Sequence, residues 1–235
     1  MIRPALTIIA SMMLFACGGG DSSSSEPTIN SMDEIGVKKI GIDLVNVANE
    51  PIDFFIKESS DNAQLFDEGN NVATNINNEN KYHAISWTSA SPMVIDIGIQ
   101  DTNSQSIQSQ TTEITLNNKQ KLWAIGWLND TDLTVSTALE QVQPIEDKYS
   151  IQIFSTNDTE IELRRFSSTS QVTLEKGTFS NQIILDSCSD ILTMGFGLTN
   201  QTNACVLGLD VGKAYLLIID GKDLLLAAEA DNNYK

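Results

Sequence analysis

The sequence predicts an all-β protein made of two tandem β-sandwiches, and three observations carry that prediction. Short runs rich in Ile, Val, Leu and Thr recur along residues 37–235, separated by clusters of Asn, Asp, Ser and Gly. Several runs alternate apolar and polar residues with the period of two that a half-buried strand requires, and no long segment carries a helical stripe. A pattern in the first half of this region returns in the second.

Residues 1–16 precede the predicted folded part and have the parts of a secretory signal: a cation at Arg3, an apolar run from Pro4 to Phe15, and a small residue at Ala16. The run would span about 18 Å as a helix, short of the roughly 30 Å of a bilayer core. Leu14-Phe15-Ala16-Cys17 resembles a lipobox, the cleavage motif of bacterial lipoproteins. That resemblance implies a diacylglyceryl group on Cys17 and cleavage just before it. Phe15 departs from the motif, being bulkier than the small residue usual there. Residues 17–36 then read as lipidated cysteine plus tether, opening on Gly18-Gly19-Gly20-Asp21-Ser22-Ser23-Ser24-Ser25. A Gly/Ser coil of that length reaches roughly 24 Å. Gly18 stands where an aspartate would favour inner-membrane retention, so the resemblance implies a lipid-anchored outer-membrane protein facing the periplasm or the cell surface. Its expected partner there is the membrane itself, through the N-terminal lipid.

The first sandwich is predicted over residues 37–138. Ile40, Ile42 and Leu44 alternate with Gly41 and Asp43, and Ile95, Ile97 and Ile99 with Asp96, Gly98 and Gln100. Residues 139–147 contain Pro144 and charged side chains and read as a linker. Over 148–235, predicted as the second sandwich, Ile151 and Ile153 flank Gln152, while Ile161 and Leu163 flank Glu162. Leu224 to Ala230 fits either a strand or a short helix. The repeat places Lys39–Leu44 over Lys148–Ile153, Ile52 over Ile161 and Phe54 over Leu163 at one constant offset. Near the other end of each copy, Lys121-Leu122-Trp123-Ala124-Ile125 corresponds to Ala214-Tyr215-Leu216-Leu217-Ile218. Copies of this size suit a β-sandwich of about seven strands.

Leu44-Val45-Asn46, Pro51, and Ile52-Asp53-Phe54-Phe55-Ile56, with the later Gly212-Lys213-Ala214-Tyr215-Leu216-Leu217-Ile218-Ile219, resemble motifs of tandem immunoglobulin-like domains of unknown function common in bacterial exported proteins. The second copy departs from the opening motif, with Ser155 for the asparagine and Glu162 for the aspartate. The resemblance implies an immunoglobulin-like fold and a cell-envelope setting, and supplies no catalytic residue.

The chain carries 14 Lys and Arg against 31 Asp and Glu, a formal charge of −17. Signal cleavage would remove Arg3 and no acid. Such a surface suits neither nucleic acid nor anionic headgroups, and it keeps an exported protein soluble. Beyond Cys17 the cysteines are Cys188 and Cys205, without a Cys-x-x-Cys spacing or a nearby histidine. In an oxidising compartment they are expected to form a disulfide closing a loop of about 17 residues, a free buried thiol being the alternative. The one histidine, His83, shares a strand face with Ile85 and Trp87 and reads as structural. No Gly-x-Ser-x-Gly elbow and no phosphate-binding loop occur, Gly195-Phe196-Gly197 being read as part of a strand.

The acids fall mainly in turn-like clusters, where they bond the local backbone. Such clusters could also hold Ca²⁺, with Asp67, Asp130 and Asp132 the first candidates, although none fits the EF-hand register and no metal site is assigned. Trp127, at a strand end beside Asn129-Asp130-Thr131-Asp132, is the tryptophan expected at the surface. Trp127, Asp130 and Asp132 are therefore the candidate ligand surface. These features predict a non-enzymatic binding or interaction module of the envelope, meeting a protein or glycan partner, with no cofactor and no catalytic residue. The alternatives are a carboxylate-based glycan hydrolase, which needs two facing acids, and a purely structural envelope protein.

Overall fold

Which side chains a strand buries on each face decides how these sheets stack. The computed structural model describes residues 36–195 and 197–230; Cys17, with the signal and most of the tether, lies outside them. The first copy contains β1 (Lys38–Asn46), β2 (Ile52–Glu58), β3 (Asn71–Ile76), β4 (Asn80–Trp87), β5 (Met93–Asp101), β6 (Gln108–Leu116), β7 (Lys121–Asn129) and β8 (Asp132–Leu139). The second contains β9 (Tyr149–Ser155), β10 (Thr159–Arg164), β11 (Thr169–Leu174), β12 (Ile183–Leu185), β13 (Ile191–Met194), β14 (Asn200–Asn203), β15 (Ala214–Asp220) and β16 (Asp223–Glu229). Leu224 to Ala230 is thus essentially strand. A single 3₁₀ turn, Glu68–Asn70, is the only helical element among the described residues.

The fold is all-β, two tandem sandwiches of paired four-stranded sheets. The first copy has orders β4-β1-β7-β8 and β3-β2-β5-β6, and the second repeats them as β12-β9-β15-β16 and β11-β10-β13-β14. Registers repeat with the orders. Ile42 lies opposite Leu122 in the parallel β1–β7 ladder, and Ile151 opposite Tyr215 in the parallel β9–β15 ladder. Phe54 faces Ile99 as Leu163 faces Leu192. The residues matched in the sequence repeat therefore occupy matching places in the ladders.

Each sandwich has its own core. Ile40, Ile42, Leu44, Leu122 and Ala124 meet Ile52, Phe54, Ile97 and Ile99 in the first. In the second, Ile151, Ile153, Tyr215 and Leu217 meet Ile161, Leu163 and Leu192. A third apolar layer lies between the sandwiches. Val45, Trp123, Ile125 and Trp127 leave the other face of β1 and β7 and pack with Phe154, Leu216, Ile218 and Ala228 from β9, β15 and β16. The described residues consequently form a four-layer stack within one compact unit. Strands buried on both faces read as nearly continuous apolar runs, as β7 and β15 do.

Within residues 139–147, Leu139 ends β8, and Val142 is fully buried in the layer between the sandwiches. One expectation changes here. Gly195 and Gly197 lie beyond the end of β13, with φ of 91° and 76° that favour glycine, so they belong to the β13–β14 connection rather than to a strand.

Candidate functional site

Because β1, β7, β9 and β15 are parallel within each pair, their C-terminal loops emerge at one end of their own sheet. Where the two sandwiches meet, these loops, the β3–β4 and β11–β12 connections and residues of β7 and β16 line a cleft of about 290 Å³. Val47, Asn49, Asn78, Leu128 and Asp130 come from the first sandwich; Thr156, Asn157, Lys176, Asp220 and Leu225 come from the second.

The loops are held by buried polar side chains. Asn46 is fully buried. Its amide nitrogen donates to Glu50 O at 2.9 Å and Ile76 O at 2.7 Å, and its Oδ1 accepts from Ala48 N at 2.8 Å. One side chain thereby ties the turn bearing Val47 and Asn49 to the end of β3, two residues before Asn78. Ser155 takes the same place in the second copy, fully buried, its hydroxyl donating to Asn157 O at 2.5 Å. In the cleft, Asp220 Oδ1 accepts from Thr156 Oγ1 at 3.1 Å and from the Asn157 amide. Lys176 Nζ donates to Asp130 Oδ1 at 2.8 Å, joining the two copies.

Of the predicted ligand surface, Asp130 lines the cleft, in the β7–β8 turn with a φ of 58°. Asp132 is exposed at the start of β8 and is not among the lining residues. Trp127 corrects the expectation, being only 3% exposed. Its ring meets Phe154 edge-on at 5.7 Å, Gly177 packs against it, and its Nε1 donates to Ser136 Oγ at 2.9 Å. Alternation correctly puts Trp123 and Trp127 on one face, but the second sandwich covers that face. Sequence reasoning missed Asn49, Asn78, Asn157, Lys176 and Asp220. For Asn49 and Asn157 the repeat carried a signal, since it aligns the turns following β1 and β9; nothing comparable marked Asn78, Lys176 or Asp220.

Several other acids serve turns. Asp61, Asp67, Asp101, Asp158 and Asp190 each accept a hydrogen bond from a backbone N–H within their own or an adjoining loop. Asp67 lies on a different loop from Asp130 and Asp132, and among the described residues no group of three or more His, Cys, Asp or Glu is placed to hold a metal ion. Burial, with a smaller contribution from Lys81, lowers the pKa of His83 and favours the neutral ring. It lines a separate opening of about 330 Å³ at the edge of the first sandwich, beside Ile85 and Met93.

Cys188 and Cys205 are bonded, their Cα atoms 4.9 Å apart. The bridge closes the open end of the β13–β14 hairpin, where Cys205 N also donates to Cys188 O at 3.1 Å. In the first copy the corresponding ladder runs on, through a register shift between Ile95 and Ile97, as far as Met93 opposite Leu116. Covalent linkage thus stands where the shorter pair has no further rungs.

No protein-family model matches the sequence, and no curated protein matches it.

Proposed function

We propose that this chain is a lipid-anchored lipoprotein of the bacterial outer membrane, held by Cys17, and that its four-layer β unit is a non-enzymatic binding module. The supporting observation is the junction cleft, whose walls come from both copies and in which Thr156, Asn157 and Asp220, and Lys176 and Asp130, are joined by hydrogen bonds. A rigid scaffold that presents loop residues is a common arrangement for recognition. The tandem immunoglobulin-like family remains the resemblance that fits this setting, and its motif asparagine, Asn46, holds the loops of the cleft.

Two experiments test the reading. Radiolabelled palmitate should enter the wild-type protein in its host and not Cys17→Ser; labelling of both would remove the anchor. A photo-crosslinking residue in place of Asn49 should give adducts in intact cells, whereas one in place of Ala90, on the exposed β4–β5 connection, should not. Equal adducts at the two positions, or turnover of a defined substrate by the purified protein, would defeat the binding-module reading.

A further inference from the structure

We propose that the junction cleft binds a hydroxyl-rich, uncharged saccharide: one sugar ring, or the end of a longer glycan. The proposal rests on the reading of the cleft as a binding site and adds the chemistry of its ligand.

Size is the first constraint. At about 290 Å³ the cleft sits at the small end of ligand sites, which run from about 300 to 1,000 Å³. Polarity is the second. Asn49, Asn78 and Asn157 each bring an amide able both to donate and to accept, Asp130 and Asp220 bring carboxylate acceptors, and Lys176 brings an ammonium donor. A sugar hydroxyl also donates and accepts, so neighbouring hydroxyls suit a lining of this mixed kind. Val47, Leu128 and Leu225 supply an apolar patch suited to the C–H face of a ring.

Charge and composition exclude other ligands. Two carboxylates face a single lysine, which is already paired with Asp130, so a phosphate or uronate would meet net negative charge. The lining contains no aromatic residue and no arginine, the side chains that dominate protein–protein hot spots. Pre-organisation favours a small polar ligand as well. Asp220 is held by Thr156 and Asn157, and Asp130 is paired with Lys176, so these side chains need less ordering on binding.

The test is saturation-transfer NMR on the full mature chain. The probes are N-acetylglucosamine, galactose, mannose and maltose, with glucuronate and glucose 6-phosphate as charged counterparts. Expected are transfer to at least one neutral sugar, none to the charged pair, and a loss of affinity of about tenfold in Asn49→Ala and in Asn78→Gly. Glycine retains the φ of 49° that Asn78 adopts, so that variant removes the side chain without straining the loop. Thermal melts of both variants check that the fold is kept. Absence of transfer to every neutral sugar, or transfer unchanged in both variants, overturns the proposal. If crosslinking from position 49 still succeeds in that case, the binding-module reading survives and only the ligand class falls.

Discussion

Asn46 shows how one side chain can set the geometry of a site it does not line. Its three hydrogen bonds reach Ala48, Glu50 and Ile76 from a fully buried position. Asn46→Ala would leave the Ile76 carbonyl and the Ala48 amide without that partner, and should destabilise the fold by on the order of 3 kcal/mol in urea unfolding. Binding at the cleft should weaken as well, since the turn carrying Asn49 loses its tie. Asp96 gives a pH-dependent prediction at the same scale. Burial opposes its ionisation, but bonds from Ser59 Oγ and Glu113 N, together with Lys57 at 3.5 Å, hold its pKa below the ordinary value. A lowered folded-state pKa contributes stability above the unfolded-state value, near 3.9, that disappears as pH falls through the folded value. The urea midpoint of wild type should therefore exceed that of Asp96→Asn near neutrality and converge on it in acid; a constant gap would rule the explanation out.

At the scale of elements, the layer between the sandwiches depends on close approach. A Cβ on Gly177 would stand 2.8 Å from Trp127 Cζ2, at a φ of 76° that already disfavours a side chain. Gly177→Ala should thus cost roughly 1–3 kcal/mol and shift the emission of the buried tryptophans. The disulfide supports a different element. Cys188→Ser with Cys205→Ser should lower stability by roughly 3 kcal/mol on the chain-entropy account, with amide exchange rising first around β13 and β14. Much of this level was legible in sequence: the alternation of β1 and β5, the constant offset of the repeat and the cysteine pairing all correspond to ladders or bonds in the structure. Trp127 was misread for a definite physical reason. Period-two alternation says which residues share a face, but not whether another sheet covers it. The apolar runs Leu122–Ile125 and Tyr215–Ile219 held the missing information, because a strand with one wet face would not be apolar on both. The cleft residues were less legible still, since Asn49, Asn157 and Lys176 are ordinary turn residues until two copies are stacked.

For the whole molecule, the same strand order occurs twice and the two copies present matching faces to each other: Trp123 corresponds to Leu216, Ile125 to Ile218 and Val45 to Phe154. Burying those faces fixes both sets of loops in one body, and the Lys176–Asp130 pair spans the junction in the wall of the cleft. The chain's formal charge of −17 favours the solubility of such a body. The cleft exists only if the sandwiches behave as one unit, so the cooperativity of unfolding tests the account most directly. Scanning calorimetry of residues 36–235, followed in parallel by tryptophan fluorescence, should show a single transition with both signals coincident. Two separate transitions, with Trp123 and Trp127 becoming solvent-exposed while one sandwich remains folded, would contradict it.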